Sequence, residues 1–96
     1  MKIKFKDINA GVVQARALIE IKPGMYINEI TILKKYNKLE VELPAKSFKG
    51  KDGKIHNMPV ITFVSEDKKN LWKLEIKNEY KKWRKKNPKI EVYEKD

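Results

Sequence analysis

Apolar and polar residues alternate along the first two thirds of the 96-residue chain, which is the pattern of strands that bury one face. Four such segments follow one another, at residues 2–8, 12–21, 26–33 and 39–43. The last is the cleanest, with Leu39, Val41 and Leu43 separated by glutamates. Turn signals such as Lys22-Pro23-Gly24 connect them, and no helical pattern intervenes. We therefore expect an antiparallel sheet.

The pattern changes in the middle of the chain. Residues 45–53 contain two glycines and no hydrophobic period, which predicts a flexible loop with Asp52-Gly53 as a turn. The segment from Ile55 to Val64 predicts a fifth strand. Pro59 within it indicates an edge position or a bulge, since proline cannot donate to the sheet.

A long helix is predicted after the strands, over residues 65–86. Ser65 is a suitable N-cap with two acids behind it, and Asn87-Pro88 stops the helix. Residues 90–93 form either a short final strand or a tail. The expected fold class is α+β, with about five antiparallel strands and one long C-terminal helix. We expect a single domain over residues 1–96, with the sheet at 1–64, the helix at 65–86 and a short tail at 87–96.

The predicted helix has two different faces. At 100° per residue, an apolar stripe about 80° wide contains Trp72, Ile76, Tyr80 and Trp83. An adjacent arc of about 120° contains Lys73, Lys77, Lys81, Arg84 and Lys85, and no acid. The aromatic stripe is expected to pack on the sheet, with base stacking as the lesser alternative. The basic arc is either a solvated face or a surface that meets a polyanion.

The net charge of +10 is concentrated rather than spread. Residues 68–89 hold ten Lys or Arg against two Glu, and residues 46–54 hold four lysines against Asp52. Such clustering favours a surface for nucleic acid, because like charges on one face repel unless a polyanion binds. The lysines of 46–54 are either phosphate contacts or ordinary loop residues.

The candidate chemistry is sparse. The chain has no cysteine and one histidine, His56, so no Cys-based or His-rich metal site and no Ser-His-Asp triad is expected. Glu40 and Glu42 share a strand face that solvent explains better than catalysis. No signal peptide and no membrane-length apolar run is apparent. We expect a soluble, cytoplasmic, non-enzymatic protein without cofactor, small-molecule substrate or membrane partner.

An ordered set of short motifs resembles the SpoVG family, the stage V sporulation protein G or septation regulators, over roughly residues 1–83. The family shows a strand ending His-Asp-Ile-Arg-Val-Ile, a Pro-Ser-Lys-Arg loop, Asp-Gly, and Asn-Glu-Tyr in a helix. The corresponding segments here are residues 25–32, 39–43, Pro44-Ala45-Lys46, Asp52-Gly53-Lys54 and Asn78-Glu79-Tyr80.

The resemblance implies a dimer that binds DNA and RNA and regulates gene expression, septation and cell division. By position it matches Lys46 to the family's loop lysine and Lys69 to a basic residue near the helix start. Ser47 and Thr31 stand where the family has arginines, and the basic helix is unusual for it. Contacts are therefore expected to have moved from the loop onto the helix.

The favoured hypothesis is a homodimeric regulator that binds DNA or RNA with weak sequence selectivity. The candidate contacts are Lys46, Lys49, Lys51, Lys54, Lys69, Lys73, Lys77, Lys81, Arg84 and Lys85. The alternative is a protein-interaction module whose basic helix docks an acidic partner. Binding to an anionic membrane is a weaker third hypothesis, because the apolar face of the helix is expected to be buried.

Overall fold

The computed structural model describes residues 1–88, so the strand or tail predicted at 90–93 lies outside the described residues. The elements are β1 (Lys2–Ala10), β2 (Val13–Lys22), β3 (Met25–Lys35), β4 (Lys38–Glu42), β5 (Ala45–Lys49), β6 (Ile55–Pro59) and α1 (Glu66–Lys86). The α+β class and the antiparallel arrangement are confirmed. The strands form two sheets rather than one.

The larger sheet is an antiparallel meander in the order β1-β2-β3-β4. Its hairpin turns follow from the local sequence. Gly24 adopts φ +82°, which a tight turn after proline requires. Between β3 and β4, Tyr36 and Asn37 adopt φ 49° and 64°. Positive φ at both positions is typical of a two-residue type I′ turn, whose twist matches that of the flanking strands.

The helix packs on one face of this sheet. The buried core comprises Ala15, Ala17, Ile19, Ile30, Ile32 and Val41 from the strands with Ile76 and Tyr80 from α1. Trp72 and Trp83 pack against it, and Phe5 contacts the rings of Tyr80 and Trp83 at centroid distances of 5.6 and 5.4 Å. The predicted apolar stripe of the helix is thus its core-facing side, as expected.

The ends of α1 are also confirmed. The Ser65 hydroxyl accepts a hydrogen bond from the backbone N–H of Lys68 at 3.2 Å. This N–H belongs to the first turn of the helix and has no carbonyl acceptor within it, so the N-cap supplies one. At the other end, the Asn87 amide side chain donates to the carbonyl of Trp83 at 2.9 Å. Pro88 follows and prevents continuation.

The main correction concerns residues 45–53, which were expected to form a flexible loop. Its first half is β5, which pairs with β6 in register, Phe48 opposite His56. The prediction failed because both strands are exposed along their whole length, so no hydrophobic alternation marks them. The fifth predicted strand correspondingly ends at Pro59, not at Val64. Among the described residues, no helix is both long and apolar enough to cross a membrane.

Candidate nucleic-acid interface

A groove of about 1080 Å³ runs between α1 and the β3–β4 turn. Five lysines line it, and we call it the basic groove: Lys34, Lys38, Lys77, Lys81 and Lys85. Its apolar floor includes Leu39, Leu74 and Tyr80. Among residues 1–88, no acidic side chain lines it. A concave surface with one sign of charge above a low-dielectric floor concentrates the potential that attracts an anion.

The helical lysines reach the groove because of their spacing. Lys77, Lys81 and Lys85 are four residues apart, so they lie one above another on a single side of α1. The row covers about 12 Å at the 1.5 Å rise per residue of a helix. Ile76 and Tyr80 fix the rotation of the helix by their burial, which turns this row toward the β3–β4 turn.

The strand lysines were missed by the sequence predictions. Lys34 continues the alternation of the core-facing Ile30 and Ile32, so its side chain emerges on the helix side of the sheet. Lys38 lies across the turn, where β4 begins. For Lys34 the signal was the period-2 pattern itself, extended two residues past Ile32. Lys38 pairs with Lys35 and is out of step with this pattern, so no signal in the sequence indicated it. Without knowing where the helix docks, this pattern could not be connected to the basic arc.

The lysines of the basic groove have no internal counterions among residues 1–88. The ion pairs of this part of the chain are Lys82 with Glu79, Arg84 with Asp7, and His56 with Asp52. None of them involves a groove lysine. Like charges four residues apart on a helix destabilise it by a few tenths of a kcal/mol per pair. A bound polyanion removes that repulsion.

Arg84 lines the same groove, but its guanidinium is already engaged. Nη1 and Nη2 each donate to a carboxylate oxygen of Asp7 at 3.1 Å, and Nε donates to the Tyr80 hydroxyl at 3.1 Å. The guanidinium also lies 4.7 Å from the ring centroid of Trp83. The hydrogen bonds to Asp7 hold the pKa of Arg84 above its ordinary value. Partial burial acts in the opposite direction, and the hydrogen bond to the Tyr80 hydroxyl acts in the same direction as Asp7. Arg84 therefore ties α1 to β1.

Two further predicted residues lie elsewhere. Lys69 and Lys73 line a second, smaller depression between the first half of α1, β4 and the base of the β5–β6 hairpin. Glu40 and Glu42 line the same depression, so its charge is mixed. Because charges of opposite sign partly cancel, we expect this depression to attract an anion less strongly than the basic groove does.

The four remaining predicted lysines are all exposed on the β5–β6 hairpin, with Lys46 and Lys49 on β5 and Lys51 and Lys54 near its tip. On the face that carries Lys46, Phe48 stacks on His56 at a centroid distance of 5.5 Å. The predicted contacts thus fall into three groups, of which only the basic groove combines concavity with uniform charge.

The tip of the hairpin is ordered by Asp52. Its carboxylate accepts the backbone N–H of Lys54 at 3.0 Å and pairs with His56 Nε2 at 3.1 Å. These two contacts hold the pKa of Asp52 below its ordinary value, and the hydrogen bond from the Lys54 N–H has the larger effect. A methyl group on Gly50 would lie 2.7 Å from the His56 ring, so the glycine is what lets that ring pack there.

Across residues 1–88, no group of three or more His, Cys, Asp or Glu side chains is placed to hold a metal ion. The sequence matches no protein-family model and no curated protein. The resemblance to SpoVG therefore stays a prediction that rests on short motifs. The case for a binding function rests on the geometry and charge of the surface.

Proposed function

We propose that the protein binds nucleic acid, DNA or RNA, by seating the phosphate backbone in the basic groove. The observation that carries the proposal is the convergence of lysines from α1 and from the β3–β4 turn on one groove that no acid of the described part of the chain lines. Two separate elements contribute the charge, and the wall between them is concave. A solvated helix face alone would not require the matching lysines on the sheet.

The chemistry of the groove favours phosphate contact over base recognition. Lysine is a point charge with rotatable donors, whereas bidentate base recognition uses the planar fork of arginine. The one arginine that lines the groove is bound to Asp7. Contacts to phosphates position a protein on nucleic acid without specifying sequence. The proposed binding is therefore weakly selective.

A salt series tests the proposal. If each of the five groove lysines displaces one counterion, log Kd against log salt should have a slope magnitude of about 4.5 on duplex DNA and 3.5 on single strands. Fluorescence anisotropy with labelled duplex, single-stranded DNA and RNA measures it directly. Binding that is insensitive to salt would contradict the proposal, as would the absence of binding to all three.

A second candidate function is the docking of an acidic protein partner. The observation that favours it is the exposure of two leucines: Leu74, which lines the basic groove and is 51% exposed, and Leu71 beside it, which is 62% exposed. An acidic amphipathic segment would match both the leucines and the lysines. In the same anisotropy assay, an acidic amphipathic peptide that binds more tightly than any nucleic acid would favour this candidate.

The regulatory role belongs to the proposal as well. A homodimer that acts in the cytoplasm on gene expression, septation or cell division is what the SpoVG resemblance implies. The basic groove supports the binding part of this role, and no catalytic step is part of it. The exposed apolar residues of the β5–β6 hairpin support the dimer.

A further inference from the structure

The tip of the β3–β4 turn carries an unusual residue for its place. Tyr36 is 99% exposed, so its ring contacts almost nothing in the protein. Its neighbours in sequence are Lys34, Lys35, Asn37 and Lys38, and three of these line the basic groove. A fully exposed aromatic ring thus stands at the rim of the proposed binding site.

The backbone of Tyr36 is also unfavourable. Its φ of 49° lies in the left-handed region, which Asn, Asp and Gly tolerate and which a bulky side chain avoids. Two-residue hairpin turns of this kind normally carry Asn-Gly or Asp-Gly. The turn here is Tyr-Asn, so its first position carries a tyrosine, which is less favourable at positive φ than the Asn or Asp usually found there. No packing contact offsets this cost, because the side chain is exposed.

We infer that Tyr36 is a stacking platform for an unpaired base of single-stranded nucleic acid whose phosphates occupy the basic groove. The inference rests on the proposed function and adds the class of ligand. Exposed aromatic rings beside a cationic groove are the arrangement by which proteins bind single strands, with the bases stacked on the rings. In a duplex, both faces of each base are already stacked, so the ring has no free base to contact. Tyr36 therefore favours single strands over duplex.

Three substitutions of Tyr36 separate stacking from other effects. Tyr36→Phe keeps the ring, Tyr36→Leu keeps a large apolar side chain without a ring, and Tyr36→Asn gives the turn a residue that tolerates positive φ. Affinity is measured by anisotropy for a labelled single-stranded 12-mer and for the matching duplex at one salt concentration. Tyr36→Phe should bind as the wild type does. The Leu and Asn variants should bind the single strand at least about fivefold more weakly, with duplex affinity unchanged.

The Asn variant also guards against a trivial loss through unfolding. Because it relieves an unfavourable φ, its melting temperature should rise by about 2–6 °C while its affinity for the single strand falls. A loss of binding in a more stable protein cannot come from misfolding. If the Leu and Asn variants bind single strands as tightly as the wild type, the inference fails while the proposed function stands.

A strand without bases separates the contribution of base stacking from that of the phosphate backbone. A 12-mer of abasic deoxyribose phosphates keeps the backbone charge and removes every base. The wild type should bind it more weakly than the normal strand, and Tyr36→Leu should show a smaller difference between the two strands. Equal differences for both proteins would overturn the inference, as would an equal loss on duplex and single strand. A wild type that binds no nucleic acid at all would overturn both proposals.

Discussion

At the residue scale, Arg84 shows why charge on a helix face is not the same as charge available to a ligand. It falls within the basic arc predicted from the sequence, yet its guanidinium bonds both oxygens of Asp7. Its side chain is 17% exposed, against 40% for that of Asp7. Asp7 lies 77 positions away in the sequence, so no local pattern could have connected the two. The structure thus gives Arg84 a role in stability.

Arg84→Ala should lower stability more than binding. Loss of the charge-assisted pair with a half-exposed Asp7 costs about 1–2 kcal/mol, or roughly 5–10 °C in melting temperature. Lys85→Ala, on the next residue, should leave the melting temperature unchanged and weaken nucleic-acid binding several-fold. Thermal unfolding and anisotropy on both variants measure this. A loss of affinity for Arg84→Ala that exceeds that for Lys85→Ala, at unchanged stability, would make Arg84 a ligand contact.

At the element scale, the β5–β6 hairpin is the least supported part of the described chain. Both strands are exposed throughout, and two strands alone are only marginally stable in water. Its order depends on local contacts: the Phe48–His56 stack, the Ser47–Asn57 hydrogen bond at 2.7 Å, and Asp52 at the tip. The helix is the opposite case, since its caps and its buried stripe were all apparent in the sequence.

Acid should loosen the hairpin tip. Because the folded-state pKa of Asp52 lies below its ordinary value, its contribution to order is present above about pH 4 and is lost as the pH falls through the lowered pKa. The Lys54 amide resonance, followed by NMR against pH, should titrate with a midpoint below about 4. A midpoint at or above that value would show that the carboxylate does not hold the tip in solution. Asp52→Asn should abolish the transition.

At the scale of the whole molecule, the shape is extended. The principal extents are 56 × 35 × 26 Å and the radius of gyration is 16.0 Å, against about 12.5 Å for a compact chain of this length. Exposed apolar side chains accompany this shape on and beside the hairpin, with Phe48 at 49%, Ile55 at 69%, Met58 at 52% and Val60 at 53%. Phe48 and Met58 share one face of the hairpin and Ile55 lies on the other, so a second copy packed on the first face would cover Phe48 and Met58.

We expect the proposed homodimer to depend on Phe48 and Met58. Sedimentation equilibrium at micromolar concentration should give about twice the 11.4 kDa of one chain. Met58→Asp should shift the mass toward that of a single chain, because it places a charge in the proposed apolar contact. Val64→Asp, also highly exposed but outside the hairpin, is the control and should remain dimeric. A wild-type mass of 11.4 kDa would contradict the dimer.

The sequence predicted the fold class and the helix because alternation, caps and turn residues are local signals. It did not predict β5, whose two exposed faces leave no apolar period. The predicted contacts include Lys77, Lys81 and Lys85, which line the groove, but not Lys34 and Lys38, which line it from the sheet. The docking of α1 depends on contacts such as Phe5 with Tyr80 and Trp83, which join distant segments.

The central claim is that the basic groove, and not net charge, binds nucleic acid. The most direct test compares Lys81→Glu/Lys85→Glu with Lys82→Glu/Lys86→Glu, a pair shifted by one residue away from the groove. Both doubles change the charge equally, at the same spacing and at the same end of α1. In an anisotropy salt series, the groove double should lower the magnitude of the slope by about 2 and weaken binding by one to two orders of magnitude. The shifted double should stay within a few-fold of wild type. Equal losses for the two doubles would contradict the account and reduce the interaction to general charge attraction.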